Sequence, residues 1–370
     1  MRKKRILFID LSEEFGGGEV YLDHLVELLD DYGELFALCS LPALSDRLDK
    51  HRCTVLHFPL MAGLLKGPRF LLAALALPAI LFWHRIDTIH INGSAESLLL
   101  PVARLCRRRA ISTRHLTFDI EVKHWWQAPG RFAGRFLYRA CGKFANTIVC
   151  VSESVGHDVR QIANPSNVVV IHNWLASLPD VTSASFIETD IQVLCVSRLI
   201  QYKGVQLVIE AIRNLPGVHL TIVGDGAYRA VLDELAQGAH VTFKGFQPNP
   251  ALFYKLANIF VQPTFGPEGF SMVTLEAMSY GLPCVVSDIP VNREIGANGD
   301  CVLMFRCGSV DDLRIQLRRL LEDRDLRQKY ASAGLSHVKN RHSPSSVLEP
   351  YLRVFDLDSQ CAQDGERYTL

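Results

Sequence analysis

Two glutamates with seven residues between them, Glu268 and Glu276, bracket the front of a short apolar segment in PTFGPEGFSMVTLEAMSYGLPCVVSDIP, residues 263–290. The stretch reads as loop, short helix, glycine stop and a fully apolar strand. Three and four positions either side of Glu276 lie Met272, Val273, Ser279 and Tyr280, so its own helix offers no basic partner. A carboxylate among Met, Val, Leu and Ala must find hydrogen-bond donors or bear a desolvation cost. Those donors come either from the backbone of a neighbouring loop or from a ligand that carries hydroxyls. Placing Glu268 in the loop rather than the helix shortens a separation of roughly 12 Å, so that both acids can face one elongated ligand.

Other residues with chemical potential follow strand-like runs. In VSRLIQYKG, residues 196–204, Arg198 and Lys203 fall in a strand-to-helix loop. Two cations over a helix start suit a diphosphate, and a solvated basic loop fits the same pattern equally well. Gly224 and Gly226 in GDG end the next strand, where they serve either as a plain turn or as a close backbone approach to a ligand. Gly269, Phe270, Ser271 and Met272 lead into the helix of the opening stretch, whose free N–H groups favour an anion or sugar hydroxyls. His90 and His172 also end strands, and both are read as packing or hydrogen-bonding residues.

The elements that must position these residues alternate. RILFID, LSEEFGGGE and VYLDHLVELLDDYG give strand, glycine loop and helix, the opening unit of a doubly wound α/β domain. Gly16, Gly17 and Gly18 do not make G-x-G-x-x-G, because Tyr21 takes the last position, so a dinucleotide fingerprint is absent. Strand-like runs recur through VVVIHNW, defining a first Rossmann-like domain at 1–174. Residues 175–190 read as a linker, and a second alternation over 191–344 makes a second Rossmann-like domain. The last helix, about 345–358, is expected to pack back on the first domain. Two such domains are expected to face a central cleft at the carboxyl ends of their strands.

Composition bounds the partners. Lys and Arg number 39 and so do Asp and Glu, so no global field recruits nucleic acid. Ten cysteines occur without a C-x-x-C pair, several inside apolar runs, which reads as reduced cysteine in a cytoplasmic protein. MRKKRILFID carries no signal-peptide pattern, and FLLAALALPAILFW, residues 70–83, is too short to span a bilayer and reads as a core or interfacial helix.

Taken in order, GGGE with Glu19, TRH at 113–115, VSES at 151–154, SRLIQYKG, GDG, EGFSMVTLE and AMSYGLPCVVSD resemble the retaining GT-B glycosyltransferases of family 4 (group 1 glycosyl transferases). The resemblance spans most of the chain, and the E-x7-E block with its flanks is its specific part. It implies a GT-B fold of two Rossmann-like α/β domains. It further implies transfer of a hexosyl group, with retention, from a nucleotide-diphosphate sugar to a saccharide or lipid-linked saccharide, as in polysaccharide or lipopolysaccharide biosynthesis. By position it implies that Arg198 and Lys203 neutralise the donor diphosphate and that Glu276 holds the ribose. Glu268 would touch the transferred sugar, Gly269, Phe270, Ser271 and Met272 would cradle it, and His115 would lie near the reacting centre. Gly17 and Gly18 would approach the donor phosphates. The nucleotide sugar is a co-substrate, and no cofactor or metal is expected. The chain departs from the family after VVVIH, where Asn173 is followed by Trp174, Leu175 and Ala176 rather than glycine and an acid.

A nucleotide-sugar epimerase of the same fold and a two-lobed ligand-binding protein are the alternatives, disfavoured by the E-x7-E block and by the missing secretion signal. Arg131, Arg135, Arg139 and Lys143 fall four apart near Trp125 and Trp126, with Arg104 and Arg107 to Arg109 a further cluster. With residues 70–83, these point either to solvated helix faces or to peripheral docking on an anionic membrane.

Overall fold

Continuous apolar runs such as ILFI and TIVC cannot leave one face in water, so they require helices on both sides and parallel neighbours. In the computed structural model every paired strand is parallel. The structure describes residues 2–12, 15–56, 66–93, 95–117, 136, 138–162, 165–180, 191–213 and 215–358. It divides into two units, Met1–Ala176 with Pro344–Leu370, and Ser177–Ser343.

Unit 1 runs β1 (Arg5–Asp10), α1 (Gly17–Leu29), β2 (Glu34–Cys39), α2 (Pro42–Leu48), β3 (Cys53–Val55), α3 (Lys66–Trp83) and β4 (Thr88–Asn92). A 3-10 turn, Ala95–Leu99, leads into α4 (Leu100–Leu105), followed by β5 (Arg109–Arg114), β6 (Thr147–Cys150), α5 (Glu153–Ile162) and β7 (Val168–Val170). Its sheet has the order β3-β2-β1-β4-β5-β6-β7. The direction of winding reverses between β1 and β4, which opens a crevice at their carboxyl ends.

Unit 2 runs β8 (Ile191–Val196), α6 (Val205–Ile212), β9 (Val218–Val223), α7 (Arg229–Leu235), β10 (Val241–Phe243), α8 (Ala251–Leu256) and β11 (Ile259–Gln262). It continues with α9 (Met272–Ser279), β12 (Cys284–Ser287), α10 (Pro290–Ile295), β13 (Leu303–Phe305), α11 (Val310–Glu322) and α12 (Arg324–Arg341). The order β10-β9-β8-β11-β12-β13 puts its reversal between β8 and β11. One apolar core, including Val193, Cys195, Ile222, Val261, Val285 and Phe305, is buried between this sheet and α6 and α11.

The final helix, α13 (Pro344–Phe355), belongs to unit 1. Tyr351 and Tyr21 share a hydroxyl hydrogen bond of 2.8 Å, Arg109 Nη2 donates to the Val354 carbonyl at 3.0 Å, and Lys4 pairs with Asp356. Trp174 packs on Tyr351 with ring centroids 5.2 Å apart, so the segment just before residues 175–180 is anchored to the same helix. Of the sequence-defined linker, residues 181–190 lie outside the described residues, as do Trp125, Trp126, Arg131 and Arg135.

Candidate functional site

In unit 2 the chemistry-bearing residues gather at the β8/β11 reversal. Lys203 lies in the short 3-10 turn after β8, and Glu268 in the loop between β11 and α9. Sixty-five residues apart in sequence, they form an ion pair in which both side chains are largely buried. Gln262, the last residue of β11, donates to Thr264 Oγ1 at 2.9 Å and approaches Glu268 Oε2 at 3.5 Å. Asn292 fixes that amide in turn by donating to Gln262 Oε1 at 2.9 Å. The two loops touch because Gly204 has φ of 76° and sits against the Pro263 carbonyl. Gly224 and Gly226 pack against the backbone of Ser197 and Leu199, on either side of Arg198. Arg198 is exposed, and its guanidinium has no partner among the described residues.

Glu276 finds its donor outside its own helix. Tyr254, on α8, donates its hydroxyl to Glu276 Oε2 at 2.7 Å. Burial raises the Glu276 carboxyl above the usual range, and the Tyr254 bond pulls it part of the way back. The tyrosine is stacked on Tyr280, with centroids 5.4 Å apart and planes 17° from parallel. This donor is neither a loop backbone nor a ligand, and counting along one helix cannot reveal a hydroxyl carried by another. At the start of α9, Ser271 bonds Thr274 Oγ1 at 2.8 Å instead of capping the helix, so the first-turn N–H groups are not spent on it.

In unit 1 the crevice at β1 and β4 is organised by Asn92. Its Nδ2 donates to Asp10 Oδ2 at 2.7 Å and to the Gly18 carbonyl at 3.0 Å. Both of those partners accept, so the amide oxygen must face His115 Nε2, 2.7 Å away, and that nitrogen carries the proton. His115 is neutral across the physiological range, since burial and Arg114 lower its pKa to about 3. A neutral ring protonated at Nε2 leaves Nδ1 as the acceptor. Tyr21 packs edge-on against the ring at 4.7 Å, and a Cβ on Gly18 would lie 3.5 Å from it. Gly17 opens α1 with open space around its Cβ position. Glu19 accepts from the Gly16 N–H at 2.7 Å, its carboxyl raised by burial and by Asp10. Glu96 is buried in the same crevice, and burial pushes its pKa up to about 7. His90 bonds Thr113 Oγ1 at 2.8 Å in the core below.

Residues 15–175 match the model of Glycosyltransferase Family 4, and residues 181–337 that of Glycosyl transferases group 1. Together these matches cover most of the chain. The chain belongs to the group 1 glycosyltransferases. It is 27% identical over 221 residues to the lipopolysaccharide core biosynthesis glycosyltransferase LpsD of Rhizobium meliloti (strain 1021), covering 57% of this chain and 63% of the relative. A second protein of that organism, the lipopolysaccharide core biosynthesis glycosyltransferase LpsE, is 26% identical over 221 residues, with 65% of it covered. The alignments thus span slightly less than two thirds of these curated relatives. In fold, the chain is similar to Anabaena Alr3699/HepE in complex with UDP, at a TM-score of 0.79 and 21% identity over 95% of this chain and 99% of that one. The GT-B architecture follows from that likeness and from the two parallel sheets.

Within this group 1 chain, the structure joins Lys203 with Glu268, and Gly18 with His115. It leaves Arg198 facing solvent and supports Glu276 from α8. Sequence reading missed Asp10, Asn92, Glu96, Gln262, Tyr254 and Asn292. Two of them carried a signal: Asp10 and Gln262 each follow an unbroken apolar run, ILFI and IFV, as the polar last residue of a strand, and so stand at the carboxyl edge of a sheet. Asn92 holds the same position in TIHIN without such a run before it. Among the described residues no group of three or more His, Cys, Asp and Glu is arranged to hold a metal ion.

Proposed function

We propose that the chain transfers a hexosyl group from a nucleoside diphosphate sugar to a saccharide or lipid-linked saccharide acceptor, retaining the anomeric configuration. We place its product in cell-surface polysaccharide or glycolipid. The observation that carries this reading is the Lys203–Glu268 pair, held by Gln262 at the β8/β11 reversal, where doubly wound folds bind ligands. The HepE neighbour, which shares the fold, has been seen with UDP and with UDP-glucose.

The departing diphosphate accumulates negative charge, and Arg198 and Lys203 are the cations assigned to meet it. When the diphosphate draws Lys203 away, Glu268 is released to accept from hydroxyls of the transferred sugar. Each preorganised donor aimed at such developing charge is worth on the order of 10²–10³ in rate. Glu276, already oriented by Tyr254, has a second carboxylate oxygen for a ribose hydroxyl. The N–H groups from Gly269 to Met272 are assigned to the sugar and distal phosphate, Gly17 and Gly18 to the phosphates, and His115 to the reacting centre. In this reading the diphosphate is met by protein cations, and no metal or cofactor is invoked. The nine described cysteines are free thiols, most of them buried, which fits work in a reducing, cytoplasmic compartment.

Incubation with a panel of nucleotide sugars and an acceptor pool tests the reading through nucleoside diphosphate release. Glu268→Gln is expected to abolish release, and Glu276→Gln to raise the donor KM while sparing much of kcat. Nucleotide-sugar binding without release would point to a binding protein and sink the proposal, as would wild-type kinetics for both variants.

A further inference from the structure

Helix α3 is apolar on the side that faces water. Ala73, Leu77 and Leu81 are buried against unit 1. On the opposite side Leu71, Leu75 and Phe82 are 63%, 70% and 74% exposed, and Trp83 at the end is 77% exposed. With Pro78, the first three fall within a roughly 60° arc at 3.6 residues per turn. No charged residue occurs from Phe70 to Trp83. A surface helix without a polar face marks an interaction surface. The helix is nevertheless no membrane span: among the described residues no helix is long and apolar enough to cross a bilayer.

An open pocket of about 570 Å³ lies at the amino-terminal end of the sheet, the end that α3 reaches with Phe82 and Trp83. Arg104, Arg107, Arg108 and Arg109 line it, and no acid does. Among the described residues the Arg104 and Arg109 side chains hydrogen-bond neutral oxygens, of Asn146 at 3.3 Å and Val354 at 3.0 Å. Arg109 also lies within electrostatic reach of Asp356, and Arg108 Nε is buried with no hydrogen-bond partner. Leu105, 82% exposed, forms part of the rim, and Arg85 is exposed just past Trp83. The pocket and the stripe are joined structurally. Helix α3 packs on α4, and the turn after Trp83 delivers Asp87, whose carbonyl accepts from the Arg109 N–H at 3.3 Å. His115, by contrast, follows the far end of β5.

We propose that this face docks unit 1 on an anionic lipid bilayer. The arginine pocket takes leaflet phosphate groups, and Leu71, Leu75, Phe82 and Trp83 enter the acyl boundary. Charge complementarity selects this occupant, since four arginines outnumber the two nearby acids, Asp87 and Asp356, neither of which lines the pocket, and an uncharged apolar stripe beside them matches an anionic headgroup layer over hydrocarbon. The proposal does not depend on the donor chemistry, so either can fail alone.

Co-sedimentation of the full chain with phosphatidylglycerol–phosphatidylcholine vesicles tests it. The wild-type chain is expected to pellet with these vesicles, to stay in the supernatant with phosphatidylcholine alone, and to be released progressively as salt rises. Changing Arg104, Arg107 and Arg108 together to Ala is expected to lower partition about a hundredfold, at roughly fivefold per arginine. Leu71→Ser with Leu75→Ser is expected to lower it at least about tenfold. Both sets lie at exposed or half-buried positions, and circular dichroism melting checks that each remains folded. Leu252→Ser with Leu256→Ser, at exposed positions of unit 2, is expected to leave partition unchanged. Absence of sedimentation overturns the proposal, as does equal loss in all three variants. A solution dimer dissolved by the α3 substitutions, without vesicle binding, reassigns the stripe to self-association and overturns it too.

Discussion

Asn92 shows how one amide can settle the state of a neighbouring imidazole. Because Asp10 and the Gly18 carbonyl claim its Nδ2, only its oxygen is left for His115. Asn92→Asp keeps an acceptor for Nε2–H but sets a second carboxylate beside Asp10 and close to the ring. The His115 pKa is then expected to rise from about 3 toward the ordinary histidine range, since a nearby anion favours the imidazolium. Under the proposed reaction kcat should fall about a hundredfold through misplacement of the ring, and the acid limb of the pH–rate profile should move to higher pH. An NMR titration in which His115 stays neutral to the same pH as in wild type, with an unmoved profile, would show that Asn92 is structural only. Little of this relay was legible beforehand. His115 was found through TRH, whereas Asn92 ends TIHIN, where Thr88 and His90 already break the apolar pattern and an amide does not stand out. Tyr254 carried no such mark, because its relation to Glu276 is set by how α8 packs beside α9.

At the scale of elements, the strands announced themselves wherever apolar residues ran without interruption. Two elements did not: β13, three residues long, and α10, which begins at Pro290 in a stretch of mixed polarity. What the motifs could not display is how closely the loops that carry them approach. A Cβ on Gly204 would lie 2.1 Å from the Pro263 oxygen, a backbone atom that cannot swing aside, and φ there is 76°. Gly204→Ala should therefore push the Lys203 loop away from the Glu268 loop and destabilise unit 2 by roughly 2–4 kcal/mol. Gly281, which ends α9 with φ of 68° and nothing within 4 Å of its Cβ position, is a matched comparison. Alanine there carries only the left-handed backbone penalty, about 1 kcal/mol. Urea unfolding of both variants checks this. Equal midpoints would mean that the two loops do not depend on close approach at Gly204.

Across the whole molecule, the sequence showed the repeated α/β alternation, and α13 joins unit 1 through Tyr21, Arg109 and Lys4. The burial of His90, His115 and Glu96 was invisible to that reading, because a side chain's solvation depends on residues far away in the chain. These groups now set the pH response of unit 1. His90 and His115 both have pKa values lowered to about 3, so between there and the ordinary 6.5 the unfolded chain binds protons that the native unit does not. Stability falls as pH drops through that window. Glu96 acts in the opposite sense. Its pKa of about 7 means the native unit keeps a proton that the unfolded chain has released above about 4.5, so stability also declines as pH rises toward 7. The two effects together place the optimum of unit 1 near the ordinary histidine pKa. Glu96→Gln keeps the shape and removes the buried charge. It should leave stability near its wild-type value at pH 5 and raise it by up to about 3 kcal/mol at pH 8. Amide hydrogen exchange in β1 and β4 isolates unit 1 from unit 2 and reads this difference directly. A gain of the same size at both pH values would mean that Glu96 destabilises unit 1 by its packing rather than by its charge.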